Sequence, residues 1–175
     1  LPKGQSAVSE EALPMMARSI PNESSKGQAI WVDVANHPIF NKALEITTKQ
    51  QQANPWELQT TIRNSIPVKK GDALLAIFYA KATQVGASGT AQSAFVFEQG
   101  KAPYAKTVNF TFEVGDTWTK FYIPMECIAD YGVNEAFIHF HAGFAPQKVL
   151  IGGFQLLNYG NQIQKKDLPY TPLTC

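Results

Sequence analysis

Short runs of alternating apolar and polar residues, each closed by turn residues, fill the chain from about residue 29 onward. The clearest run spans 107–114, where Val108, Phe110, Phe112 and Val114 alternate with Thr107, Asn109, Thr111 and Glu113. A period of two places one set on a dry face and the other on a wet face of a strand. Comparable runs at 29–34, 43–48, 57–62, 73–82, 94–98, 118–123, 136–141 and 149–158 bring the predicted strands to nine. Gly, Pro and Asp punctuate the gaps at 68–72, 86–89, 100–103, 114–116 and 142–146, as hairpins and Greek-key crossovers require. The spacing predicts an all-β fold, a two-sheet antiparallel sandwich. Residues 1–28 show no sustained period beyond one short helix near 10–18 and read as an N-terminal segment packed on the domain. Residues 29–160 form the sandwich, and 161–175 read as a C-terminal tail.

Composition narrows the picture. The 175 residues fit one domain, long enough to bury about two-thirds of the unfolded surface without metals or disulfides. Charge is balanced, with 15 Lys and Arg against 14 Asp and Glu and no basic cluster, which argues against nucleic acid as a partner. No apolar run approaches the roughly 18 residues needed to span a bilayer, so no membrane partner is expected. The chain starts at Leu1 without a basic-then-apolar leader, which suggests a processed product, secreted or periplasmic. Cys127 and Cys175 permit one disulfide; the alternative is a buried thiol at Cys127 and a frayed terminus at Cys175.

Candidate chemistry is sparse. His139 and His141 stand two apart on a predicted strand and share a face, while Ala136, Ile138 and Phe140 occupy the opposite, core-facing set. A metal site would need a third ligand, and neither Glu nor His follows in Ala142-Gly143-Phe144-Ala145-Pro146-Gln147. Glu57, Glu98, Glu113 and Glu135 are scattered among strands, with no pair set by sequence at the separation glycoside hydrolysis demands. No serine-hydrolase elbow occurs, since Val85-Gly86-Ala87-Ser88-Gly89 has the wrong spacing. Most aromatic residues read as core, Phe110, Phe112 and Trp118 among them. Trp56, after Asn54-Pro55 at the mouth of a strand, and Tyr104, after Ala102-Pro103 at a loop, are placed instead to stack on a ligand. His139 beside Gln59 and Tyr104 keeps a jelly-roll lyase open as an alternative.

Pro67-Val68-Lys69-Lys70-Gly71-Asp72, followed by the strand 74–81, then Trp118-Thr119-Lys120-Phe121-Tyr122-Ile123-Pro124 and the closing stretch 140–160, resembles the galactose-binding-like jelly rolls of carbohydrate-binding modules attached to xylanases. The resemblance spans about residues 29–160. It implies a non-catalytic module with a groove on a concave sheet for a plant or algal polysaccharide, xylan or β-glucan foremost, sometimes with a structural calcium on the opposite side. The groove would take Gln59 from one strand and His139 and His141 from another, with Trp56 and Tyr104 stacking and Glu98 and Gln147 hydrogen-bonding hydroxyls. Two departures stand out. His139 and His141 replace the Tyr and Glu common on that last strand, and Gly152-Gly153 stands where an acidic pair is frequent, which counts against the calcium. The alternatives are a small jelly-roll lyase or hydrolase working through the same groove, or a structural accessory sandwich. An attached or partner glycoside hydrolase is the expected context.

Overall fold

The computed structural model describes residues 1–171. In chain order the strands are β1 (Gln5–Ser6), β2 (Gly27–Asp33), β3 (Lys42–Thr48), β4 (Gln59–Arg63), β5 (Ala73–Gln84), β6 (Ala91–Gln99), β7 (Lys106–Val114), β8 (Thr119–Glu126), β9 (Ala136–His141) and β10 (Gln147–Asn158). All nine strands expected from periodicity are present, and the short helix α1 runs over Ala12–Ala17. Only β1, a two-residue strand against β10, carries too little sequence to show a period. No helix among the described residues is long and apolar enough to cross a membrane.

The strands form two antiparallel sheets, one six-stranded in the order β2-β3-β10-β5-β8 with β1 also on β10, the other four-stranded in the order β4-β9-β6-β7. Between them lies a core centred on Phe78 of β5, whose ring meets Phe112, Phe121 and Phe140 at centroid distances of 5.1–5.2 Å. Alternation explains the choice of residues: Leu74, Ala76, Phe78 and Ala80 of β5 face Phe95 and Phe97 of β6 and Ile138 and Phe140 of β9, and all are buried. Phe110 and Phe112 join this core as their period indicates. Helix α1 closes one side, burying Ala12, Leu13 and Met16.

The outer face of the six-stranded sheet is clad by two pieces of chain. Residues 159–168 lie over one half, packing Tyr159, Ile163 and Leu168 on Ala73, Leu75 and Tyr122, so this stretch is part of the fold and not a loose tail. Cys175 lies outside the described residues; Cys127 is buried and its thiol donates to the Ala129 carbonyl at 3.2 Å. The β2–β3 loop covers the other half through Phe40, on which the His37 ring stacks at 3.8 Å. Trp118 meets Phe40 edge-on at 5.0 Å, so it packs on this outer surface and not in the core as its spacing suggested. Phe40 sits where a Cβ on Gly152 would be, which explains the Gly152-Gly153 pair: the first glycine admits the ring, and the second, at φ +61°, turns the strand at its bulge.

Gly152→Ala is expected to lower stability by roughly 1–3 kcal/mol through overpacking against Phe40, read from urea unfolding. In the Phe40→Ala background the same change should cost much less; equal costs in both backgrounds would show that the ring is not the cause.

Candidate functional site

The outward face of the four-stranded sheet carries the site. Pairing aligns Gln59 with His141, Thr61 with His139 and Arg63 with Phe137 across β4 and β9. On the other side of β9, His141 faces Ala94, His139 faces Val96 and Phe137 faces Glu98 of β6. A bulge at Phe97/Glu98 then brings Lys106 opposite Glu98. These positions floor a cavity of about 440 Å³ lined by Trp56, Gln59, Glu98, Pro103, Tyr104, Lys106, Phe137, His139 and His141. Six of the residues singled out in the sequence, Trp56, Gln59, Glu98, Tyr104, His139 and His141, thus converge on one groove.

Local structure sets the two rim rings. Trp56 rides on a single 3₁₀ turn, Pro55–Glu57, in which the Glu57 carboxylate accepts from the Asn54 N–H at 2.7 Å in a capping box. The turn is stapled to the chain leaving β9, because the Gly143 N–H donates to the Pro55 carbonyl at 3.0 Å and the Gln52 N–H to the Gly143 carbonyl at 3.0 Å. Any Cβ at Gly143 would press on the Asn54 and Pro55 carbonyls. The indole is left 55% exposed. Tyr104, 46% exposed, stands at the opposite end of the groove, stacked on Phe137 at 6.5 Å. Phe137 and His141 are four residues apart on β9, so the lane between the two rims is roughly 14 Å long.

The floor is polar but closed. His139 and His141 are 2% and 3% exposed, with ring centroids 5.7 Å apart. His139 Nδ1 lies 2.9 Å from the Thr61 hydroxyl, and its Nε2 is 3.7 Å from Glu98, beyond hydrogen-bond length. Glu98 is instead paired with Lys106 at 3.2 Å. Burial pushes the pKa of His139 down, against the opposing pull of the Glu98 carboxylate. Burial and then the positive charges of His139 and Lys106 push His141 down to about 4. Both rings are therefore neutral near pH 7, and each offers one donor and one acceptor. His141 Nε2 has no hydrogen-bond partner, although it is buried.

Gln147 does not reach this groove. It lies on β10 in the other sheet, fully buried, with its amide accepting from the Gln92 N–H at 3.0 Å and donating to the Gln92 carbonyl at 2.6 Å. That side chain ties the two sheets together, a role its sequence position just after a turn did not reveal. Lys106, Pro103 and Phe137 line the cavity unannounced. Phe137 could have been found by carrying the His139/His141 face one step back along the strand; Lys106 depends on the β6–β7 bulge, which leaves no pattern in sequence. Among the described residues no group of three His, Cys, Asp or Glu is placed to hold a metal ion.

The histidines make stability depend on pH. An unfolded His141 takes up a proton near pH 6.5, whereas the folded one does so only near 4. Between these values the unfolded chain binds the extra proton, so stability falls as pH falls across this window, by roughly 2–4 kcal/mol. Denaturant titrations from pH 7 to 4 should show this loss, and His141→Gln should flatten it. Superimposable profiles for the two proteins would contradict it.

No protein-family model matches the chain, and no curated protein matches it. Solved structures do. A CBM4 module is 14% identical over 78% of this chain and 81% of its own, with a TM-score of 0.59. The CBM22-1 xylan-binding domain from Paenibacillus barcinonensis Xyn10C is 15% identical over 78% of this chain and 84% of its own, at 0.54. The N-terminal cellulose-binding domain of Cellulomonas fimi β-1,4-glucanase C is 15% identical over 65% of this chain and 76% of its own, at 0.52. This chain is thus similar, in its two-sheet jelly-roll fold, to carbohydrate-binding modules.

Proposed function

We propose that this protein is a non-catalytic carbohydrate-binding module that holds a polysaccharide, xylan or a β-glucan, in the groove between Trp56 and Tyr104. The observation that carries the reading is the pairing of two exposed rings with a floor of buried, uncharged imidazoles and a buried carboxylate. Flat rings stack on the apolar faces of pyranoses, and Gln59, Glu98 and Lys106 supply donors and acceptors for hydroxyls above the buried, uncharged rings of His139 and His141. The fold shared with modules that bind xylan and cellulose supports the same class of ligand.

A hydrolase reading finds less support. Hydrolysis by two opposed carboxylates needs a partner for Glu98 across the groove, and among the described residues Glu98 is the only carboxylate lining it. Glu57, nearest in sequence to the rim, is engaged by the Asn54 N–H. The reading places the protein outside the cell, attached to or accompanying a glycoside hydrolase whose local substrate concentration it raises.

Affinity electrophoresis against xylan, mixed-linkage glucan, mannan and alginate, with reducing-end release followed in parallel, tests this. Retardation by xylan or glucan without product is expected. Product release would make the protein an enzyme, and neither effect would leave a structural sandwich. Trp56→Ala should reduce affinity about five- to tenfold, the effect of losing one stacked ring worth roughly 1–1.5 kcal/mol, with an unchanged unfolding midpoint because Trp56 is mostly exposed.

A further inference from the structure

Beside the groove lies a second cavity of about 440 Å³, lined by Arg63, Gln99, Lys101, Asp130, Asn134 and Glu135 among others. The two are divided by a rib, the turn at 99–106. One flank of this turn presents Pro103 and Tyr104 to the groove, and the other presents Lys101 and Ala105 to the second cavity. Backbone bonds hold the rib in place: Gly100 N–H to the Glu135 carbonyl at 2.9 Å, Gln99 N–H to Ala105 at 2.9 Å and Tyr104 N–H to Lys101 at 2.8 Å. At its foot the Arg63 guanidinium covers the Phe137 ring at 4.2 Å, so the groove's floor ring and the cavity's cation form one shared wall.

The chemistry of the second cavity differs from that of the groove. No exposed ring lines it, but planar amides, carboxylates and a guanidinium converge there. Arg63 and Lys101 balance Asp130 and Glu135 in formal charge, which favours an uncharged guest over an anionic one. Each carboxylate commits one oxygen to a backbone N–H, Asp130 to Lys70 at 2.9 Å and Glu135 to Gly132 at 2.7 Å, and each retains a second oxygen as an acceptor. Gln99 and Asn134 add side-chain amides that donate and accept. Such a set suits the hydroxyls of a sugar ring held at its edge, without stacking.

We propose that this cavity receives a neutral sugar branch of the polysaccharide whose backbone occupies the groove, so that the preferred ligand is a branched glycan and not a linear one. The proposal rests on the carbohydrate reading of the groove. Calorimetric titration with xylohexaose against the same hexaose bearing one arabinofuranosyl branch, and with cellohexaose against a xyloglucan oligosaccharide, tests it. In at least one pair the branched member should bind about tenfold more tightly, the equivalent of one or two added hydrogen bonds. Asn134→Gly suits the residue's φ of +65° and keeps the backbone bonds while removing the amide. It and Gln99→Ala should abolish the preference and leave linear affinity unchanged. Equal affinity within both pairs, or variants that weaken linear and branched ligands alike, would overturn the branch site and leave the groove standing. Failure of all four ligands to bind would instead overturn the groove reading, and this proposal with it.

Discussion

Strand β9 is buried on both of its faces, and the rest of the architecture follows from that constraint. Ala136, Ile138 and Phe140 point into the core, while His139 and His141, on the opposite side, are as hidden as the core residues. A strand can present polar groups to a buried outer face only if neighbours satisfy them or they shed charge. Here both happen. Thr61 meets His139 from β4, and desolvation keeps both imidazoles neutral. The central position of β9, between β4 and β6, makes this arrangement possible, since both flanking strands contribute side chains to cover it.

The groove also depends on contacts between the sheets. Gln147 from β10 closes two bonds on the Gln92 backbone of β6, and Thr48 from β3 donates to the Ala142 carbonyl just after β9 at 2.6 Å. Both ties join the six-stranded sheet to the end of the four-stranded sheet that carries His141. A buried amide satisfied on both sides fixes the separation of layers in a way apolar packing alone does not, because its bonds have a direction and a narrow range of length. The glutamine chosen in the sequence as a ligand for hydroxyls is occupied by the protein's own backbone.

Strand existence was legible because alternation and turn residues are local signals, and both survive in 107–114, 136–141 and the rest. The shared face of His139 and His141 was legible for the same reason. Trp56 and Tyr104 could be singled out because proline places each at a strand mouth or loop, where a large ring has little core to join. What sequence did not convey was registry between strands. Lys106 reaches Glu98 only through a bulge, Gln147 meets Gln92 across 55 positions of chain, and Trp118 finds Phe40 through a loop folded over the sheet. These are long-range pairings, and a single sequence carries no periodic trace of them. The two glycines at 152 and 153 were visible as a departure from an expected pattern, but their reason, the seat for Phe40, lies 112 positions away in the case of Gly152.

The 3₁₀ turn bearing Trp56 hangs from the same backbone that ends β9, through the reciprocal bonds between Gln52, Pro55 and Gly143. Rim and floor are thereby one mechanical unit: a displacement of the turn carries the end of β9 with it, and the spacing between the indole and the His141 ring is insulated from motion elsewhere in the loops. Much of the entropy that a ligand would otherwise have to remove by ordering a flexible aromatic arm has already been removed during folding.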